Sequence, residues 1–321
     1  MAFHLYAAKD IAQFISTRDN ETKLGEKIQF VSSLDALKKC ETAFVVLGIP
    51  ESIGPKANYG KSGAENAWSA FVKSFVNVQS NHFIDAKKII LLGEFQFDFP
   101  ATDDISELRN QVSEIDNNVY PIVQQIIEYG HIPIVIGGGH NNSYPLLKAC
   151  SLAKNTAVSC VNIDAHADFR ALEGRHSGNG FSYAHHEKYL ANYAIHGLHQ
   201  NYNSQYILDT LFKNNIAFSL FDEMVFHDSY HDNLLRLLRT LDTDICLEID
   251  MDSIAYTPSS ALSPSGFSLE QIRKSIHAIC KEKKVNYLHL SEAAPTNDQE
   301  KILIGKALTY LVTDFIKQVK Q

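Results

Sequence analysis

The sequence predicts an α/β protein built on one open, mostly parallel sheet with helices on both faces. Short β-branched runs alternate with longer amphipathic stretches along the whole chain. Several of the short runs are apolar at every position, as strands covered on both faces must be. Polar, chemically useful residues follow three of these runs directly, in IGGGH, NIDAHAD and EIDMD, and the carboxyl ends of parallel strands are where such sheets bind ligands.

In chain order the expected strands are Ala43–Leu47, Lys88–Leu92, Ile132–Ile136, Ala157–Ile163, Ala194–Leu198, Ile216–Leu220, Ile245–Ile249 and Val285–Leu290. Expected helices include Ile105–Glu128, Asp232–Leu241, Leu269–Lys281 and Gln299–Lys320, each with apolar residues at helical spacing. No low-complexity linker, internal repeat or composition break divides the 321 residues, so residues 1–321 read as a single domain.

The formal charge is −8, from 29 basic and 37 acidic residues, and no long basic tract exists. Nucleic acid is therefore not expected as a partner, because neutralising phosphates requires a basic face. No apolar run reaches membrane-spanning length, and MAFHLYAAKDIAQF lacks the basic start and apolar core of a signal peptide. Cys40, Cys150, Cys160, Cys246 and Cys280 are odd in number, scattered and never in a CxxC, which reads as free thiols in a reducing compartment. The expectation is a cytoplasmic protein.

Asp164, His166 and Asp168 alternate with alanines, so an extended chain points all three to one side. Asp250 and Asp252 repeat the device at another strand end, and His140 follows three glycines that permit a sharp turn. Four carboxylates and two imidazoles suit Mn²⁺, Zn²⁺, Fe²⁺ or Co²⁺, and the absence of thiolates argues against a structural zinc site. Four adjacent carboxylates without cations would repel one another, whereas two cations satisfy both the ligand count and the charge. Water bridging them would lose a proton at neutral pH and become a nucleophile. Each motif alone also has a plainer reading: Asp168 as a helix N-cap, Asp250 and Asp252 as loop carboxylates satisfied by backbone amides.

At these residues the sequence resembles the ureohydrolase family of arginases, agmatinases and formimidoylglutamases. GGGH, DAHAD and the DMD of EIDMDSIAYTPSS match that family's metal motifs in order, and the resemblance runs from GIPESIGPKANYGKSGA to LSEAAP. It implies a three-layer α/β/α fold with an eight-stranded parallel sheet, two Mn²⁺ per subunit, and hydroxide attack on a guanidinium or amidine carbon. It also implies a small-molecule substrate and a homo-oligomer, often in multiples of three. His140, Asp164, His166, Asp168, Asp250 and Asp252 would be the ligands. The RHSGNG stretch resembles the loop that holds the distal end of the substrate, which gives Arg175, Ser177 and Asn179 as binding residues, with Asn203 beyond it. Glu292 matches the glutamate that accepts hydrogen bonds from substrate nitrogens; its plainer reading is a charge at the start of the following helix.

Departures from the arginase pattern bear on substrate. Arginases carry GGDH where this chain has GGGH, and a histidine where it has Phe181. The stretch His199–Ser204 lacks the carboxylates with which arginases bind an α-amino group. GGGH and the GIPESIG segment look more like formimidoylglutamases, whose substrate presents two carboxylates to Arg175 and Arg170. His176 is expected either to replace the missing proton shuttle or to shape the loop. The leading expectation is hydrolysis of N-formimidoyl-L-glutamate to L-glutamate and formamide. The rivals are a urea-releasing guanidino hydrolase, a single-zinc deacetylase and a non-enzymatic binding module.

Overall fold

The computed structural model describes residues 2–41 and 44–319. Nine strands form one sheet: β1 (Ala2–Leu5), β2 (Phe44–Gly48), β3 (Ile89–Gln96), β4 (Ile132–Ile136), β5 (Val158–Ile163), β6 (Leu190–Leu198), β7 (Ala217–Leu220), β8 (Asp244–Asp250) and β9 (Lys284–Ser291). Their order across the sheet is β1-β3-β2-β4-β9-β8-β5-β6-β7. All neighbours pair in parallel except β1, which adds antiparallel to the edge at β3.

The expected sheet is therefore present as eight parallel strands, with β1 as an edge addition that the sequence reading did not anticipate. Strand β3 runs on to Gln96 and β6 begins at Leu190, so both exceed their expected lengths. The expected helices appear as Ile105–Glu128, Tyr230–Leu238, Leu269–Glu282 and Asp298–Gln318. Expected end points at Ala43 and Lys320 lie outside the described residues.

Alternation along the strands sorts the core into two layers. Val46, Ile134, Val161 and Leu247 face helices Ala67–Phe75, Leu269–Glu282 and Asp298–Gln318, burying Trp68, Phe71 and Phe315. Val45, Val135, Cys160 and Cys246 face the opposite way, onto Ile105–Glu128 and Ser143–Lys154 with Val119, Val123 and Leu147. Two of these helices are started by side-chain caps: Asp104 accepts from Glu107 N, and Ser268 and Gln271 form a reciprocal box.

The order of the four central strands matters most for function. The chain places β9 and β8 between β4 and β5, so β4, β9, β8 and β5 lie side by side. GGGH leaves β4, Glu292 follows β9, Asp250 ends β8 and Asp164 follows β5. Every chemically promising motif therefore opens on the same edge of the sheet.

Candidate metal centre

The turn after β4 delivers His140. Gly137 and Gly138 take φ of +88° and +73°, which side chains disfavour. A Cβ on Gly138 would also lie 2.4 Å from Asn142 Nδ2 and 2.8 Å from Glu51 Oε1. Glu51, buried in the segment after β2, is the clasp of this turn. Its Oε1 accepts from Gly139 N at 2.8 Å and Asn142 Nδ2 at 2.8 Å, while Oε2 accepts from Gly54 N at 2.9 Å. The result holds the His140 ring wholly inside the protein.

Three carboxylates converge on one nitrogen of that ring. Asp168 Oδ2, Asp250 Oδ2 and Asp164 Oδ2 lie 2.9, 3.1 and 3.2 Å from His140 Nδ1. The nitrogen is buried, yet none of the three contacts has hydrogen-bond geometry. Lone pairs aimed at a common point rather than at one another are what a cation requires of its donors. A second group, Asp164, His166 and Asp252, shares Asp164; His166 Nδ1 lies 3.1 Å from Asp252 Oδ2. Asp252 Oδ1 is likewise buried without a partner. Within each group the donor atoms lie within 4.8 Å of one another. Nitrogen and carboxylate donors this closely clustered, with His140 Nδ1 and Asp252 Oδ1 lacking any hydrogen-bond partner, fit two divalent cations that share Asp164.

The plainer reading of the aspartates holds for half of each carboxylate. Asp164 Oδ1 accepts from His166 N at 2.7 Å and Asp250 Oδ1 from Asp252 N at 2.8 Å, so these oxygens close their own turns. Asp250 Oδ2 is left for the cluster, and Asp164 Oδ2 faces it while also accepting from Asn162 Nδ2 at 2.9 Å. Asp168 caps no helix; its backbone is left-handed, with φ of +46°, which swings the side chain inward.

Electrostatics records the crowding. Burial and then repulsion from Asp252 and Asp164 hold Asp250 well above the usual carboxylate range. Burial and Asp164 push Asp168 up to about 6. Burial alone would lower His140, but the surrounding Asp164, Asp168, Asp250 and Glu248 outweigh it and raise it. Protons thus do the neutralising that cations would do better, and metal binding would release them.

Behind His140 lies a further buried polar group. Glu248 Oε2 lies 3.5 Å from His140 Nε2 and 2.6 Å from His289 Nδ1, and its Oε1 accepts from Tyr287 OH at 2.6 Å. Glu248 stays ionised: burial opposes this, but His289 and His140 bring it down to about 2. The contact with Nε2 lacks hydrogen-bond geometry, but a negative charge on that side favours a proton on Nε2 and, with metal bound, would leave Nδ1 for the cation. Phe181, fully buried, meets the ring edge-on at 5.1 Å and stacks on Tyr193.

Above the cluster lies a cavity of about 670 Å³, with His166, Asp168, Asp250 and Asp252 at its base and Glu292 and Arg170 in its walls. Glu292 is not a helix charge. It has a left-handed φ of +62°, and Asn297 caps the following helix. Its Oε1 accepts from His140 N at 2.8 Å and its Oε2 from Ser260 Oγ at 2.8 Å. Burial pushes it up to about 7 against those two hydrogen bonds.

Arg175 and Asn179, expected to bind substrate, do not line this cavity. Arg175 is 4% exposed and lies between the rings of Tyr144 and Tyr183. It binds Asp116 Oδ2 through Nε at 2.8 Å, Asn179 Oδ1 at 2.7 Å and Asn141 O at 2.9 Å. Asn179 spends its amide on Arg175, His176 N, Ala171 O and Gly174 O. Both therefore brace the loop from within. His176 is buried beside them. Its Nδ1 accepts from Gly178 N at 3.1 Å and its Nε2 faces Glu173 Oε1 at 3.1 Å, so both nitrogens are engaged in loop contacts. Burial lowers it to about 4, which favours the loop-shaping alternative over the proton shuttle.

Arg170 and Ser177 do line the cavity. Arg170 is held by Asn58 Oδ1 and Glu173 Oε1, each at 3.0 Å, and is half exposed. Asn203 also lines it, but its amide bonds Ala167 N, Ala165 O and His199 O. The sequence reading missed Glu51, Glu248, His289, Ser260 and Tyr202. Glu51 and Glu248 had one available signal, an acidic residue inside or directly after an apolar strand run, where burial demands a partner.

The profile of the arginase family matches residues 42–315. Formimidoylglutamase from Macrococcus caseolyticus is 24% identical over 276 residues, covering 84% of each chain. Among solved structures, Trypanosoma cruzi formiminoglutamase with Mn²⁺₂ superposes with a TM-score of 0.75 at 18% identity, covering 93% of this chain and 98% of that one. Formimidoylglutamase from Bacillus subtilis gives 0.76 at 20% identity, covering 94% of both. At such identities the superpositions establish the arginase-like fold, and the profile match over most of the sequence establishes the family. This chain, with its metal-type cluster at the centre of that fold, belongs to the arginase family of metal-dependent hydrolases.

Proposed function

We propose that the protein hydrolyses a linear amidine carrying a carboxylated tail, with N-formimidoyl-L-glutamate as substrate and L-glutamate and formamide as products. The observation that carries this reading is the polarity of the cavity. Its base and inner wall are acidic, through Asp168, Asp250, Asp252 and Glu292, while Arg170, with Glu173 beside it, is the one Lys or Arg among its described lining residues. A cationic amidine head suits the acidic end. An anionic tail suits Arg170, whose contacts with Asn58 and Glu173 leave further N–H donors free. The His199–Ser204 segment beside the cavity has no carboxylate to receive an α-ammonium group, which disfavours arginine. Formimidoylglutamase is also the name of the relatives quoted above.

In this reading His140, Asp164, Asp168 and Asp250 hold one Mn²⁺, and Asp164, His166 and Asp252 the other. When bound, the pair supplies the Lewis acidity that makes water a competent nucleophile at neutral pH. Glu292 accepts hydrogen bonds from the amidine nitrogens and holds the planar head over the base of the cavity. The His140 N–H and Ser260 hydroxyl in turn hold Glu292. Water oxygen joins the formimidoyl carbon and the bond from that carbon to the glutamate nitrogen breaks. Because the head is cationic, its terminal nitrogen already carries two hydrogens and becomes the amide of formamide, while both water protons end on the glutamate nitrogen, which leaves as ammonium. The same proposal takes residues 1–321 as one domain, since all nine strands share a sheet, and assigns a homo-oligomer in the cytoplasm.

The test is a substrate panel on Mn²⁺-loaded protein with the products identified. Formamide from N-formimidoyl-L-glutamate is expected. Urea from arginine or agmatine, without turnover of the formimidoyl compound, would overturn the assignment.

A further inference from the structure

The two histidines of the cluster are supported in different ways. His140 has a carboxylate behind it: Glu248 Oε2 lies 3.5 Å from the buried Nε2, close enough to back the ring although the contact lacks hydrogen-bond geometry. His166 has no such carboxylate. Its Nδ1 faces Asp252 and Asp164, and among the described residues no side chain hydrogen-bonds Nε2. The ring is also less enclosed, 29% exposed against 0% for His140. Something else must keep it from rotating away from the aspartates.

That support comes from the segment after β6. Tyr202 stacks on His166 with centroids 5.4 Å apart and planes at 22°. Tyr202 itself stacks on His199 at 5.2 Å and 6°, and His199 stacks on Phe221 at 4.6 Å and 11°. The Tyr202 hydroxyl is tethered to Ser263 Oγ at 3.1 Å. Asn203 meanwhile grips the backbone on both sides of His166, accepting from Ala167 N at 3.1 Å and donating to Ala165 O at 3.1 Å. His199 N adds a bond to the same Ala165 carbonyl at 3.0 Å. The backbone of His166 is therefore bracketed by Asn203, and its ring is shelved on Tyr202.

We infer that Tyr202 is a positioning residue for His166: its ring face takes the place of the absent carboxylate and sets the geometry of the Asp164–His166–Asp252 metal site. The inference rests on the two-metal reading above, not on the identity of the substrate. Tyr202 is 44% exposed, so its replacement leaves the core intact. Loss of an outer support of a metal ligand lowers metal affinity by roughly 10–100-fold, and that loss should fall on one site of the two.

The experiment titrates Mn²⁺ into metal-free parent, Tyr202→Leu and Tyr202→Phe proteins. Free Mn²⁺ is followed by its six-line electron paramagnetic resonance signal, and the spectrum of the bound metal is recorded at each stoichiometry. Melting in EDTA confirms that all three share the parent fold. In the parent, two Mn²⁺ bind and give a spin-coupled spectrum. Tyr202→Leu should weaken one site by about tenfold or more and give the spectrum of an isolated ion at substoichiometric loading. Tyr202→Phe, which keeps the ring and loses the tether, should behave as the parent. Unchanged affinities and coupling in Tyr202→Leu would overturn the inference. So would equal losses in both variants, because the hydroxyl rather than the ring face would then be responsible. A parent that binds no metal pair would instead overturn the two-metal reading itself.

Discussion

Arg170 and Arg175 belong to the same loop, and their surroundings give them opposite duties. Arg175 is enclosed against two tyrosine rings and paired with buried Asp116, so removing its charge strands a buried carboxylate. Arg175→Met is expected to cost about 3–5 kcal/mol of stability, read by urea unfolding. Arg170 is half exposed and lines the cavity, so Arg170→Met should unfold at the parent's urea concentration. Its effect belongs to the substrate: loss of a charged hydrogen bond to a carboxylate tail is worth about 1.5–3 kcal/mol, a rise in KM of roughly 10–100-fold for carboxylated amidines. An unchanged KM for them would show that the tail lies elsewhere. Sequence could not separate these two arginines, because the partner that decides Arg175 is Asp116, far away in sequence on another helix. The aspartates and histidines of the cluster were legible because their convergence is set locally. Strand termination suffices to group them, although the chain does not stay extended: it bends at residues 165–166, Asp168 is left-handed and Asp252 lies in the turn Met251–Ser253.

The parallel strands were legible for a related reason: burial on both faces leaves an apolar run with no alternation to misread. Strand β1 gave no such signal. It is a short edge strand with only partly buried residues, paired on one side. Strand order was also hidden, since the insertion of β9 and β8 between β4 and β5 is a long-range event, yet it is this order that brings Glu292 and Asp250 between His140 and Asp164. The link between β4 and its helix is the most sensitive element. Gly138 combines a positive φ with a crowded Cβ direction toward Glu51 and Asn142. Gly138→Ala is expected to displace the Glu51 clasp and with it His140. Backbone strain alone costs on the order of 1–3 kcal/mol, and Mn²⁺ affinity should fall with it. The measurement is a metal titration beside a thermal melt. A variant that melts lower but keeps both metal affinities would show that the turn supports the fold without setting the site.

At the scale of the molecule, the centre of the sheet concentrates negative charge where water is excluded. Asp164, Asp250 and Asp252 are buried, and Asp168 is largely so, with His140 and His166 as the nearest cationic groups. Without metal this cluster opposes folding, and its pH dependence has a definite sign. The folded pKa of Asp168 is about 6, above its ordinary value of 3.8. The folded chain therefore holds this proton more tightly than the unfolded one, so this group's contribution to stability improves as pH falls from about 6 toward 4 and is least favourable above 6. Mn²⁺ acts in the opposite window. It replaces the protons, so it should stabilise most where the carboxylates are ionised and less where protons compete. A site filled at a hundredfold excess over Kd contributes about 2.7 kcal/mol, which for a chain of this size raises the melting temperature by several degrees. The expected result is a lower melting temperature in EDTA at pH 7, restored by Mn²⁺, with the increment shrinking at pH 5. An increment that stays constant between the two pH values would mean that the metal is held by groups other than these buried carboxylates. No response to EDTA or Mn²⁺ at either pH would mean that the converging lone pairs around His140 hold no metal at all.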